Sequence, residues 1–165
     1  GVQTCALPIS GGGNMTKERK EHLGRRLLRA GMILFTLGLL TGFAIPLLKH
    51  PRLGLSSHLE GVQNGMVLVL LGLLWPKLRL GAGWLKAGFT LALYGTYANW
   101  GTTFLAAAWA AGGEMMPLAG GSAVGTAWQE GMVKFGLLSL ALAMVVVSGI
   151  VLSGLRGKAG AVLEG

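Results

Sequence analysis

Four apolar runs, each near the roughly 20 residues that a helix needs to cross a bilayer, fill most of this 165-residue chain at about 27–48, 57–75, 84–111 and 127–155. Hydrocarbon offers no hydrogen-bond partner to the backbone, so runs of this kind fold as helices that satisfy their own N–H and C=O groups. Pro51, Pro76 and the glycine-rich LAGGSAVG at 118–125 supply the breaks between them, as residues that interrupt helices should. Composition agrees: 52% of residues are hydrophobic and 12% charged, with mean hydropathy +0.61, whereas a water-soluble domain carries about a quarter charged residues. The expected fold is all-α, an integral membrane four-helix bundle in a single domain.

The ends divide from this core by composition. The first ten residues, GVQTCALPIS, read as the translation of a sequencing adapter, so 1–14 is expected to be a non-native leader, with Met15 as the start. Cys5, the only cysteine, falls within it, which leaves the remaining chain without a thiolate for a disulfide, a metal or a nucleophile. Residues 15–26 form a basic flank, 27–155 the four-span domain, and 156–165 a tail.

A net charge of +8 and a pI near 10.3 raise the question of nucleic acid. The basic residues flank apolar runs and do not gather on one amphipathic surface, so no nucleic-acid partner is expected. Lys17, Arg19, Lys20, Arg25, Arg26 and Arg29 precede the first run, Lys77, Arg79 and Lys86 lie between the second and third, and Arg156 and Lys158 follow the fourth. Only Lys49 and Arg52 occupy the opposite connections, Lys134 being within the fourth run. The positive-inside rule then puts both termini in the cytoplasm.

Polar residues inside such runs are costly and mark a functional site by default. With that topology, the cluster Ser57, His58, Glu60, Gln63 and Asn64 enters from the outer face on the second helix. Gln129, Glu130 and Lys134 enter from the same face on the fourth, and Asn99, Thr102 and Thr103 sit in the outer half of the third. Structural roles compete for several of them. Ser57 and Glu60 have the spacing of a capping box. Glu130 and Lys134, four apart, are placed to neutralise one another on one helix face. Tyr94, Tyr97 and Trp100 suit packing or an interfacial belt. The G-x-x-x-G pairs Gly38/Gly42 and Gly61/Gly65 suit close helix approach in a tightly packed oligomer.

His58 is the one histidine of three continuous with a spanning run. Zinc needs three or four N, O or S ligands, and the spacing of His50, His58 and Glu60 does not impose such a set. A haem needs one proximal histidine and an apolar slot; without a C-x-x-C-H motif it would be held non-covalently. At about 100° per residue, Glu60 and Asn64 share a face, while His58 lies about 120° from Asn64. One helix can thus show His58 to one neighbour and Asn64 to another, as a site between subunits of a cyclic oligomer would require.

The runs GLLTGFAIP at 38–46, GLSSHLEGVQNGM at 54–66, YGTYANWGTT at 94–103 and AWQE at 127–130 closely resemble those of hydroxylaminobenzene mutases. More distantly, His58, Asn64 with Gly65 and Met66, and Ala98-Asn99 with Gly101 resemble styrene oxide isomerase, a trimeric membrane enzyme carrying haem b. The resemblance implies a homotrimer of the bacterial inner membrane, multi-pass, with non-covalent haem b on His58, and a site at the subunit interface for a small aromatic substrate that Asn64 helps orient. The isomerase has an aspartate and a tyrosine where this chain has Gly95 and Thr103, a departure that opposes epoxide isomerisation.

The reaction so implied is an arylhydroxylamine-to-aminophenol rearrangement without net redox change. Asn64, Asn99, Tyr97 and Glu60 are its candidate catalytic groups, and Tyr94, Trp100, Thr103, Gln129 and Glu130 are candidates to line the pocket. Two alternatives stand beside it. One is isomerisation of an aryl epoxide to an aldehyde; the other is a non-catalytic haem-binding subunit, for which Met66 is the candidate second axial ligand.

Overall fold

The structure is a computed structural model describing residues 17–156; the expected leader, the first residues of the basic flank and the tail beyond Arg156 lie outside the described residues. Its elements are helices α1 (Lys17–Ala44), α2 (Pro51–Leu74), α3 (Ala82–Trp109), the single turn α4 (Pro117–Gly120) and α5 (Ala127–Leu155), with short 3-10 turns at Ile45–Leu47 and Trp75–Lys77.

Helix boundaries follow local chemistry. Pro46 and Pro76 sit in the 3-10 turns that end α1 and α2, where a missing N–H and a fixed φ stop a helix. Pro51 opens α2 at its first turn, where the absent N–H costs nothing. The Nδ1 of His50 accepts from the Leu53 N–H at 3.3 Å and caps the helix. α2 therefore starts six residues before the expected position. Ser57 and Glu60 lie well inside it, so the capping box expected of them is not formed, and His58 sits about 10 Å from the helix start at 1.5 Å per residue. α1 likewise starts at Lys17, making much of the basic flank helical. The capping box that does form is at α5, where Thr126 and Gln129 satisfy each other's backbone N–H groups.

Glycine sets the α1–α2 packing. Gly24, Gly31 and Gly38 face Gly72, Gly65 and Gly61; a Cβ on any of them would run into backbone of the other helix. Such close approach is what small residues at a helix interface permit, and of the glycines in the G-x-x-x-G pairs, Gly38, Gly61 and Gly65 take part in it between α1 and α2 of one chain. Leu27, Leu34, Leu68, Trp75, Leu85 and Phe89 fill the core at one end, and Leu53, Ala106, Ala107 and Val133 form a smaller cluster at the other.

The long helices pack in chain order, α1 on α2, α2 on α3 and α3 on α5, in an open row in which α5 does not close on α1. Lys20 Nζ donates to the Leu78 carbonyl at 2.8 Å and the Arg79 N–H to Gly154 at 2.9 Å. The basic N-terminal flank, the basic connection between α2 and α3 and the end of α5 thus meet at one end of the row. At the other end the His50 N–H bonds the Ala107 carbonyl at 3.1 Å.

Three helical stretches are long and apolar enough to cross a membrane: Lys17–Leu47, Pro51–Lys77 and Ala127–Leu155. α3, at 28 residues, has the length, but the polar run at 94–103 lowers its hydropathy. It lies between α2 and α5, and Thr96 and Thr103 are buried there. Phe43, Phe135, Leu142, Val145 and Leu152 stand exposed on the outer surface, as befits a surface that meets lipid.

Candidate functional site

The polar residues of α2 divide between its two neighbours. His58, half-buried, turns toward α1, and its Nδ1 lies 2.8 Å from the Gly38 carbonyl oxygen. A carbonyl only accepts, so Nδ1 carries the hydrogen, and it is Nε2 that is left to face another ligand. Gly42, one turn on from Gly38, makes room for the ring: a Cβ there would stand 3.0 Å from Nδ1.

The other face turns toward α3. Asn64 is buried, and its Nδ2 donates to the Glu60 carbonyl at 2.9 Å and to Glu60 Oε2 at 3.0 Å. Asn99 reaches across from α3, its Nδ2 donating to the same Oε2 at 2.5 Å. One carboxylate thus ties together two asparagines from different helices. Glu60 belongs to this cluster through tertiary contact, not through the helix start.

Behind the cluster lies a second set of contacts. Ser57 Oγ donates to the Trp100 carbonyl at 3.2 Å, Trp100 Nε1 to Thr41 Oγ1 at 3.0 Å, and Thr41 Oγ1 to Leu37 at 2.8 Å. Trp100 is wedged against Gly61 and stacks on Phe104 with ring centroids 5.8 Å apart. These bonds lock α1, α2 and α3 around His58.

Other expected site residues stand elsewhere. The Tyr97 hydroxyl donates to the Ala30 carbonyl of α1 at 2.9 Å, and the Tyr94 hydroxyl pairs with Ser139 Oγ of α5 at 2.7 Å. Five residues from Asn99, Tyr94 is about 140° away around α3. Thr103 returns its hydroxyl to the Asn99 and Trp100 carbonyls. Gln129 caps α5. Glu130 accepts from the Gly112 N–H at 2.8 and 3.0 Å and from the Gly125 N–H at 2.8 Å, while Lys134 pairs with Glu114 at 3.1 Å. The expected Glu130–Lys134 pair is therefore not made, because the connection between α3 and α5 folds back over α5 and offers each a better partner. Glu130 serves that connection and does not join the Glu60 cluster.

Sequence reasoning passed over Thr41, Ser57 as a cross-helix donor, and the roles of Gly38 and Gly42 toward His58. The T-G pair within GLLTGFAIP was the available signal, but a backbone carbonyl becomes a partner only through packing. Among the described residues no three His, Cys, Asp or Glu side chains converge to hold a metal ion.

The styrene oxide isomerase family model matches residues 23–156. The chain belongs to the styrene oxide isomerase family. Within it the chain is 60% identical over 141 residues to hydroxylaminobenzene mutase HabB of Ectopseudomonas oleovorans, covering 86% of each chain. It is 46% identical over 129 residues to HabA of the same organism, covering 78% of this chain and 96% of HabA. No solved structure matches. As a member of the styrene oxide isomerase family it is a membrane protein and an enzyme of the mutase and isomerase class. His58, Glu60, Asn64 and Asn99 all fall inside the matched span.

Proposed function

We propose that this protein rearranges an arylhydroxylamine to an aminophenol inside the bacterial inner membrane, as a multi-pass homotrimer with both termini cytoplasmic, four spans per subunit and the site at the subunit interface. The 60% identity with a hydroxylaminobenzene mutase over 86% of both chains carries the choice of substrate. The gathering of basic residues at one end of the row supports the orientation.

Non-covalent haem b fits the residues present. His58 is half-buried and its Nδ1 is held by the Gly38 carbonyl, as the second nitrogen of a metal-ligating histidine is held, so His58 would be the residue that holds the iron. Ferric haem, when bound, supplies Lewis acidity toward an oxygen atom. The chain's own residues do the rest. Asn64 and Asn99 hold the migrating oxygen and the amine by hydrogen bonds, which count for most in a water-poor site. The apolar helix surfaces exclude water, which would otherwise trap a ring-centred cation at the wrong position.

The second reading, epoxide isomerisation, draws on the name of the family model. Gly95 and Thr103 stand against it: Gly95 is packed against Met144 and Thr103 spends its hydroxyl on backbone, so neither position supplies an acid group.

Membranes containing the protein, given hydroxylaminobenzene and styrene oxide in separate incubations, test both. Aminophenol from the first substrate is expected; an aldehyde from the second with no aminophenol from the first would replace this reading with the other.

A further inference from the structure

The Glu60 cluster carries more information than proximity. A primary amide has two N–H donors on one side and an acceptor oxygen on the other, and which side faces a ligand decides what the ligand must offer. Asn64 Nδ2 has two partners, the Glu60 backbone oxygen and Glu60 Oε2. Both are oxygens, so turning the amide over would set Oδ1 against two acceptors. Asn99 Nδ2 is likewise held by Glu60 Oε2. No donor among the described residues reaches Asn64 Oδ1 or Asn99 Oδ1. Neither oxygen is sealed away, since the only sealed side-chain polar atom without a partner among the described residues is Trp75 Nε1.

We propose that Glu60 is a positioning residue that holds Asn64 and Asn99 with their amide oxygens free, so that the site presents acceptors and selects substrates that donate. The inference rests on the arylhydroxylamine reading and deepens it. An arylhydroxylamine carries N–H and O–H donors, whereas an epoxide oxygen only accepts. A site that leaves a polar group unpaired when the wrong ligand binds discriminates strongly against that ligand. Here the unpaired groups would be the two amide oxygens. The discrimination is set on the enzyme side by one carboxylate two residues from the proposed iron ligand.

The test compares wild type, Glu60→Leu and Glu60→Gln in membranes, with two readouts. In kinetics, Glu60→Leu removes the clamp and is expected to raise KM for hydroxylaminobenzene about tenfold with a smaller change in kcat. Glu60→Gln, whose Oε1 still accepts, should restore most of the difference. In binding, wild type is expected to hold aniline, a donor, at least tenfold tighter than N,N-dimethylaniline, which has no N–H. That preference should shrink in Glu60→Leu and persist in Glu60→Gln. Equal affinity of wild type for the two amines overturns the inference, and this arm needs neither a variant that folds nor the proposed reaction. Equal losses of kcat on every substrate in Glu60→Leu, not rescued by Glu60→Gln, also overturn it, by making Glu60 a structural group. Wild-type preference for the donor amine without aminophenol formation would sink the reaction assignment and leave the acceptor character of the site standing.

Discussion

The Nδ1 of His58 on α2 donates to the carbonyl of Gly38 on α1 across 2.8 Å, at the level where Gly38 and Gly61 bring the two helices into backbone contact. The close approach and the ring orientation are therefore one feature. Only without a side chain at Gly38 does α2 come near enough for the ring to reach that carbonyl, and only without one at Gly42 does the ring have room.

His58 is the sole protein ligand the proposed haem would take from this chain. The detergent-purified protein is expected to show a Soret band, and His58→Ala to lose it together with more than about 100-fold in activity, since even the partners of a metal ligand are worth 10–100-fold. The measurement is an absorption spectrum beside a rate; a folded, active protein with no Soret band in either form removes iron from the account.

Gly42→Ala separates activity from stability. Alanine favours a helix interior over glycine by about 1 kcal/mol, so the unfolding temperature should hold or rise. The added Cβ would stand 3.0 Å from His58 Nδ1 and 3.3 Å from Cε1, displacing the ring and lowering activity about 10-fold or more. Parallel melting curves and rates decide it: unchanged turnover would show that the ring position is not critical.

Gly38→Ala should do the opposite to stability. Its Cβ would overlap Gly61 and the Val62 backbone, which cannot yield as a flexible side chain would, and a destabilisation of about 1–3 kcal/mol is expected. Gly131→Ala, with open space around the position, should be neutral or slightly stabilising. Denaturation in one detergent system compares the two, and a harmless Gly38→Ala would contradict the glycine-set packing.

Glu130 is the anchor of the connection between α3 and α5. Removing it in Glu130→Ala leaves the Gly112 and Gly125 N–H groups unpaired, at a cost of about 2 kcal/mol, whereas Lys134→Ala breaks an exposed pair and should cost under about 1 kcal/mol. KM should stay within about twofold in both variants once the fraction folded is accounted for. A selective rise in KM for Glu130→Ala at full stability would return Glu130 to the pocket.

Local chemistry made much of the framework legible. The extent of α5, from Ala127 to Leu155, the proline stops, the basic residues at alternate connections and the 120° between His58 and Asn64 all depend on residues near in sequence. Hydropathy and helical periodicity therefore suffice to read them. The start of α2 was displaced because Pro51 and the His50 cap outweighed the polar cluster that looked like a helix start.

The partners were not legible, because they are chosen across separations that no local pattern encodes. Glu60 spaced three from Ser57 looks like a capping residue, and Glu130 spaced four from Lys134 looks like half of an ion pair. Each instead binds groups that another segment brings to it: Asn99 from α3, and the N–H groups of Gly112 and Gly125 from the connection. The sequence by itself determined that the chain is helical and apolar, with polar residues set inside its runs. Only the tertiary structure decided which polar group faces which, because a buried donor or acceptor takes the partner that packing places within about 3 Å, and that partner is set by how the helices cross.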